Sequence, residues 1–481
     1  MALSRRQFVK TSFAAASTFM IVPRHVLGKG FTPPSDRLNL AAIGAGGKGE
    51  SDIYWASEMG KHSVSAWADV DWRMAKKTIE RFSKAQKYKD FREMLDKEKG
   101  IDAVTISTPD HTHAVAAMAA MERGIHVYVQ KPMSHNIYEA RLMTEAANKY
   151  QVVTQMGNQG ASSIGVHQMI QWFDQGLIGE VKEVHVWTDR PVWPQGIPVP
   201  SGTHTLPEDL NWDGWIGPAQ MIDFNPAYHP FNWRGWWAFG TGALGDMGCH
   251  LIDPPYRVLG LGYPTEVECS VGAVYVRAWS PEHIPDGCPP SSTVRLKFEA
   301  TAKNPSDMTM SWYDGGLRPF RHPWIPADDA LGDDDSTNGV MMIGSKGVMT
   351  CGVYAASPKI YFENGEKLEL SPDVVSKNKY YNASADNGQQ KSWIEACKSG
   401  YGSEEHKALT SSFDYAGPLT ETVFMGNLAI RSYALRNKNN RGHWIYPGRK
   451  KLLWDGAQMK ITNFDEANAY VSREYRDGWK L

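Results

Sequence analysis

Residues Leu38-Asn-Leu-Ala-Ala-Ile43 run directly into Gly44-Ala-Gly46-Gly47-Lys48-Gly49, and this stretch decides the fold. Its first half is a short apolar run with the character of a buried parallel strand. Its second half is the pattern G-x-G-x-x-G, with a strand before it and a helical pattern after it. In that context Gly44 makes the tight turn, Gly46 lets the backbone approach a pyrophosphate, and Gly49 lets helix pack on strand. Gly47 belongs to the same cradle, and the phosphate is expected at the helix N-terminus. A second strand, Ser63–Ala68, ends in Asp69, twenty residues after Gly49. A carboxylate there binds the ribose hydroxyls of an adenosine and repels a 2′-phosphate, so NAD is expected and NADP disfavoured. Arg73 is the nearby cation that argues the other way, although an exposed helix arginine is its ordinary reading.

Outward from this loop, helix and strand patterns alternate. Residues 73–85 and 91–97 read as helices, 101–107 as a strand, 114–123 as a helix and 125–129 as a strand; helix 138–149 and strand 152–156 close the unit. Such an order predicts a doubly wound parallel sheet of the α/β class. Binding residues in these folds collect at the C-terminal ends of strands. Here those ends carry Thr108-Pro109-Asp110-His111-Thr112-His113 and Gln130-Lys131-Pro132. Thr108, Pro109, His111, His113, Gln130, Lys131 and Gln159 are therefore expected on the cofactor. Lys131, just beyond a buried strand and locked by proline, would point a cation into the crevice; a solvated loop lysine is its plainer reading. Gly157-Asn158-Gln159-Gly160 marks a boundary, giving a dinucleotide-binding domain over 36–157.

Composition narrows the classes. A chain of 481 residues has room for two or more domains. A net charge of −2 provides no basic field, which argues against nucleic acid as a partner. After the first residues, no apolar run is long enough to span a bilayer. The five cysteines form no C-x-x-C pair, which argues against a zinc ribbon or a disulfide framework, and no metal site is expected. Ser4-Arg5-Arg6-Gln7-Phe8-Val9-Lys10 precedes a modest apolar run over 11–22 and reads as a twin-arginine export signal. Residues 1–35 are therefore set apart from the fold, and a periplasmic protein is expected. No clear small-x-small cleavage site follows.

The second domain is expected over 158–450, beginning with helix 166–175 and strand 181–188. Seven of the eighteen tryptophans lie between Trp187 and Trp237, in a stretch rich in proline and glycine. Aromatic faces beside polar groups suit a carbohydrate. Most of these rings are nonetheless expected to fill core, with Trp233, Arg234 and Trp236 kept as substrate-pocket residues. Gly240-Thr-Gly-Ala-Leu-Gly-Asp246-Met-Gly-Cys-His250-Leu-Ile-Asp253 follows. On a helix Asp246 and His250 share a face, where a carboxylate can orient an imidazole for general-base work. The same spacing also suits an ordinary surface pair. Pro254 and Pro255 lack N–H groups and are expected to break or kink this helix directly after Asp253. Runs at 266–276, 292–299, 308–313, 340–344, 348–353 and 359–362 read as sheet strands. The acid-rich loop 317–338 reads as a solvated loop rather than a calcium site. Helices 389–398 and 419–436 are expected to pack the second sheet. The tail, 451–481, is expected to lie on the domains with a helix over 466–475.

Together, the glycine loop Gly44–Gly49, Asp69, Thr108-Pro109 through His113, Lys131-Pro132 and the stretch with Asp246 and His250 resemble the Gfo/Idh/MocA family of glucose–fructose oxidoreductases and inositol dehydrogenases, in particular its exported members. The resemblance implies a Rossmann domain followed by an α/β domain with a large, mostly antiparallel open sheet, assembled as a dimer or tetramer. It implies hydride transfer between NAD and a secondary hydroxyl of a sugar, polyol or glycoside. His250 would be the base, Asp246 its orienting carboxylate, and Lys131 the donor to the substrate oxygen. One position departs: the family's Glu-Lys-Pro is Gln130-Lys131-Pro132 here. Export adds the expectation of a tightly held nucleotide regenerated in place. Two alternatives stand beside this reading. One is a redox-neutral glycosidase or lyase working through a transient 3-keto sugar. The other is a non-catalytic carbohydrate-binding protein, which predicts loss of Lys131, Asp246 or His250; all three are present.

Overall fold

The computed structural model describes residues 37–371, 373–382 and 388–481; the segment expected to be an export signal lies outside them. Six parallel strands form the first sheet: β1 (Asn39–Ile43), β2 (Ser63–Ala68), β3 (Gln86–Tyr88), β4 (Ala103–Ile106), β5 (His126–Val129) and β6 (Thr154–Met156). Their order is β3-β2-β1-β4-β5-β6. The order reverses between β1 and β4, so the glycine loop and Thr108 stand side by side where ligands bind in such sheets. Alternate residues face opposite ways. Ala41, Ile43, Val104, Ile106, Val127 and Val129 face one layer, covered by helices Phe91–Lys97, His113–Met121 and Ile137–Tyr150. Leu40, Ala42, Trp67, Ala103 and Tyr128 face the other.

That second face corrects an expectation. Helix Gly388–Ser399 does not back the second sheet; it packs on the first, beside helix Lys48–Ala56. Its buried Trp393, Ile394, Ala396 and Cys397 complete the cluster around Trp67 and Tyr128, with the Tyr128 and Trp393 rings 5.6 Å apart. The physical reason is apolar cover: both faces of a parallel sheet must be buried.

The second sheet has ten strands. From one edge to the other they are Lys367–Glu369, Lys359–Tyr361, Val348–Cys351, Asn338–Gly344, Val181–Thr188, Met308–Tyr313, Ser292–Phe298, Glu266–Val271, Leu452–Asp455 and Lys460–Ile461. All pair antiparallel except Val181–Thr188 with Met308–Tyr313. Ser292–Phe298 shows the alternation expected of a half-buried sheet: Val294, Leu296 and Phe298 point in, while Arg295 is exposed. The tail supplies two strands of this sheet, followed by a 3-10 segment at Asp465–Tyr470 in place of the expected helix over 466–475. Helix Phe413–Tyr433 backs the sheet and also packs on helix Ile137–Tyr150. There Arg141 donates two bonds to Glu421, at 2.8 and 2.7 Å, so one core runs through both units.

The proline pair also behaves differently from its expectation. Helix Gly242–Leu251 stops two residues before Asp253, with Ile252 as its cap, and a second helix, Asp253–Leu259, opens with Pro254 and Pro255 in its first turn. A first turn needs no N–H donors, so prolines start a helix as readily as they end one. Asp253 is buried away from the cavity, where its carboxylate accepts from Tyr415 Oη at 2.6 Å and Arg257 at 2.9 Å.

Candidate active site

A cavity of about 830 Å3 runs along the C-terminal ends of the first sheet and under the aromatic stretch of the second domain. At one end stand Gly44, Gly46, Gly47 and Asp69. Gly49 sits behind them, where a Cβ would run into the Gly44 carbonyl, so this position requires glycine. Gly44 has φ +79°, and a Cβ there would meet the backbone of Ser107. Asp69 accepts from the amides of Ala45 (2.8 Å) and Gly46 (2.9 Å) through one oxygen and of Asp71 (2.9 Å) through the other. Burial pushes its carboxyl above the ordinary range despite those three donors. Arg73 is tied to Asp71 by two bonds, at 2.7 and 2.6 Å.

At the other end lie Lys131, Arg234, Asp246 and His250. Lys131 Nζ reaches the Asp246 carboxylate at 2.9 Å and its main-chain carbonyl at 3.0 Å. Arg234 Nε donates to the same carboxylate oxygen at 3.3 Å. Burial alone would raise the Asp246 carboxyl; the charges of Lys131 and Arg234 overcome it and hold the group well below the usual range. Arg234 is itself sandwiched by rings, with its guanidinium 4.3 Å from Trp233 and 4.6 Å from Phe231. His250 is 4 % exposed, and burial, reinforced by Lys131, lowers its imidazole to about 3. It is therefore neutral at pH 7.

Two stretches of the chain match known families. Residues 38–158 match the oxidoreductase family GFO_IDH_MocA, NAD-binding Rossmann fold, and residues 192–278 match the C-terminal α/β domain of the same family. Over these two stretches the chain is similar to the Gfo/Idh/MocA oxidoreductases. Among curated relatives, a levoglucosan dehydrogenase of Pseudarthrobacter phenanthrenivorans is 26 % identical over 254 residues, 51 % of this chain and 55 % of that protein. An α-N-acetylgalactosaminidase of Shewanella oneidensis is 25 % identical over 207 residues, 37 % of this chain and 44 % of that protein. The chain thus spans about half the length of the curated relatives it matches. Among solved structures, a levoglucosan dehydrogenase in complex with NADH and levoglucosan aligns with a TM-score of 0.54 at 16 % identity, over 85 % of this chain and 100 % of that one. An inositol dehydrogenase homologue from Azotobacter vinelandii, complexed with NADH and myo-inositol, aligns with a TM-score of 0.54 at 15 % identity, over 85 % and 97 %. The fold is shared with both, and the family matched over residues 38–158 is described as an NAD-binding Rossmann fold.

Several residues stand elsewhere than their spacing suggested. No hydrogen bond joins Asp246 to His250 among the described residues: the carboxylate is taken by the two cations, and His250 Nδ1 is buried without a partner. His111 and His113 do not line the cavity. His111 Nε2 lies 2.8 Å from the Trp215 carbonyl, and burial lowers its imidazole to about 3. The ring nitrogens of His113 lie 2.7 Å from the Pro132 carbonyl and 2.8 Å from that of Thr108. It packs between the two loops behind Lys131 and, when neutral, donates to one of these carbonyls. Trp236 is core, 1 % exposed, with its indole donating to the Pro198 carbonyl at 3.2 Å, whereas Trp233 and Arg234 do line the cavity. Thr108, Pro109, Gln130 and Gln159 line it too.

Sequence reasoning passed over Lys48 and Asp52. Asp52 is fully buried and accepts from Ser107 Oγ (2.8 Å), Gln130 Nε2 (2.9 Å) and Gln390 Nε2 (2.9 Å), with Lys48 Nζ at 3.2 Å. Gln159, oriented to satisfy its neighbours, turns its amide oxygen to Lys48 at 3.2 Å. The unusual Gln130 has its reason here, because a glutamate would set a second carboxylate against Asp52. An acid on the buried face of the glycine-loop helix, four residues from Lys48, was the available signal.

Proposed function

We propose that this protein is an NAD-dependent dehydrogenase acting on a secondary hydroxyl of a sugar, polyol or glycoside. The observation that carries the proposal is the meeting of Lys131, Asp246 and neutral His250 in the cavity that begins at the glycine loop. The residues fit the cofactor: positions without a Cβ form the cradle, and Asp69 closes its adenosine end. When bound, NAD supplies the acceptor for the hydride that leaves the substrate carbon. His250 takes the proton of the hydroxyl on that carbon, and burial keeps its imidazole free to do so at pH 7. Lys131 donates to the substrate oxygen and stabilises negative charge developing there. Asp246 holds Lys131 and Arg234 in place and offsets charge on the imidazole through space rather than through a hydrogen bond. Trp193, Phe231 and Trp233 wall the site against water.

His250→Ala is expected to slow single-turnover oxidation about 10²–10⁴-fold while NAD still binds. Full activity in that variant overturns the role given to His250.

A second reading is redox-neutral cleavage of a glycoside through a transient 3-keto sugar. Two observations favour it: the likeness to the Shewanella α-N-acetylgalactosaminidase, and Asp110. Asp110 lines the cavity, accepts from Thr241 Oγ1 at 2.7 Å, and is pushed by burial up to about 7, where a carboxyl can give or take a proton. Aglycone release without NADH accumulation separates this reading from net oxidation. The proposal includes export by the twin-arginine route on the pattern Ser4–Lys10, a tightly held nucleotide, and a dimer or tetramer. Purified protein that carries no nucleotide and binds NAD weakly overturns the tight-binding part.

A further inference from the structure

Behind the site, the chain turns through a run of unfavourable backbone. Tyr354 has φ +60°, Ala355 φ +55° and Ser357 φ +45°, all left-handed and none glycine. Such residues persist only where the surroundings impose them, and they concentrate at sites of function. Here the imposition comes from two sides. On one side, glycines let the turn in: a Cβ on Gly160 would collide with Cα and ring of Tyr354, and one on Gly165 with the Ala355 carbonyl. On the other, Asp333 Oδ1 accepts the Val353 N–H at 2.8 Å. Asp333 is braced in turn by Asn338 Nδ2 at 2.8 Å, and Asn338 by the Thr188 hydroxyl at 2.6 Å. This part of the acid-rich loop is therefore a support and not merely a solvated stretch.

The consequence is the placement of one ring. Tyr354 stands in the cavity wall, 37 % exposed, with its ring centroid 4.9 Å from that of His250 and the two planes at 89°. His250 Nδ1 has no hydrogen-bond partner among the described residues, so this edge-to-face contact supplies a restraint on the imidazole that a hydrogen bond does not.

We propose that Tyr354 is a substrate-contacting specificity residue: its ring lies against the C–H face of the sugar beside His250, and its phenol hydrogen-bonds a substrate hydroxyl. This rests on the dehydrogenase reading above. An exposed ring with a polar tip offers both kinds of contact that a polyhydroxylated ligand presents. The backbone arrangement around it brings the tyrosine to the cavity and no other side chain of the turn contacts His250 in this way.

The test uses the full-length protein loaded with NAD, with levoglucosan, myo-inositol and a nitrophenyl α-N-acetylgalactosaminide as probes. Sugar affinity is measured by calorimetry, and kcat and KM by nicotinamide absorbance or nitrophenol release. Tyr354→Phe is expected to raise KM and the sugar Kd about tenfold, the loss of one hydrogen bond, with kcat within about twofold. Tyr354→Leu is expected to raise both further and to lower kcat, since the imidazole loses its restraint. Gly160→Ala, which displaces the turn without altering its tyrosine, is expected to resemble Tyr354→Leu, with NAD affinity and melting temperature showing whether the protein remains folded. A wild-type response that both tyrosine variants leave unaltered overturns this inference alone. No wild-type response to any probe overturns the dehydrogenase reading and this inference with it.

Discussion

Two carboxylates, Asp52 behind the glycine loop and Asp246 on the site helix, each meet a lysine, and they are held in different ways. Asp52 is fully buried and satisfied mostly by neutral donors from three separate segments: Ser107, Gln130 and Gln390. Its lysine, Lys48, is 41 % exposed. Asp246 is held by two cations, and Lys131 is only 16 % exposed. Neutral donors on buried side chains stay where packing holds them, so Asp52 is a fastening. Cations on long side chains can exchange one oxygen for another, so Asp246 keeps Lys131 and Arg234 ready for a ligand. Burying a charge serves either end, and the nature of its partners decides which.

The largest effect expected from this contrast is on the rate. Lys131→Met should slow hydride transfer about 10²–10³-fold, the usual cost of removing one donor to a developing oxyanion, with NAD affinity retained. A variant with unaltered single-turnover rate breaks the ligand-ready side of the contrast. Next comes stability. Asp52→Ala strands buried donors from three segments and should cost about 3–5 kcal/mol in urea unfolding. If the loss is under about 1 kcal/mol, Asp52 is no fastening.

A smaller change sharpens the same point. Gln130→Glu sets two carboxylates near each other and should cost about 1–3 kcal/mol, recovered when Asp52→Asn is added. A double-mutant cycle with no coupling removes the explanation given for the glutamine. A further effect is on pH dependence. Burial lowers His111 to about 3, His113 to about 4 and His250 to about 3. Their unfolded values lie near 6.5. The unfolded chain therefore binds the protons first, so stability is fully present above about 6.5 and is lost as pH falls toward 4. Asp110 and Asp314, pushed by burial up to about 7 and about 6, and Asp69, also raised by burial, work in the opposite direction. His250→Gln should flatten the slope of unfolding free energy against pH; an unaltered slope means that His250 does not titrate as described.

What was legible in the sequence was what is local. The glycine loop, its strand and its helix lie within a few residues, and the period of apolar residues is enough to identify them. Asp246 and His250 were legible as members of one helix face. Their partners were not, because Lys131 is 115 residues from Asp246 and only the packing of two domains brings them together. Spacing on a helix says which side chains are neighbours, and competition from distant cations decides which of them bond. Helix Gly388–Ser399 was misplaced for the same reason: an apolar face announces that it will be covered, not by what. His111 and His113 sat at a strand end where binding residues gather, yet each turned to main-chain carbonyls, a demand of buried backbone that one sequence does not display.

Asp52 and Gln390 are 338 residues apart. At about 5–20 residues per second, a ribosome needs tens of seconds to travel that distance. For the later part of that interval, once the strands out to Met156 have been made, the nucleotide unit stands with the face of Trp67 and Tyr128 lacking its Trp393 cover. The first third of this protein cannot finish folding on its own schedule; it waits for the last third. A cell that makes it must shelter a sticky half-domain for that time, and a chain truncated before residue 388 has no way to end the wait.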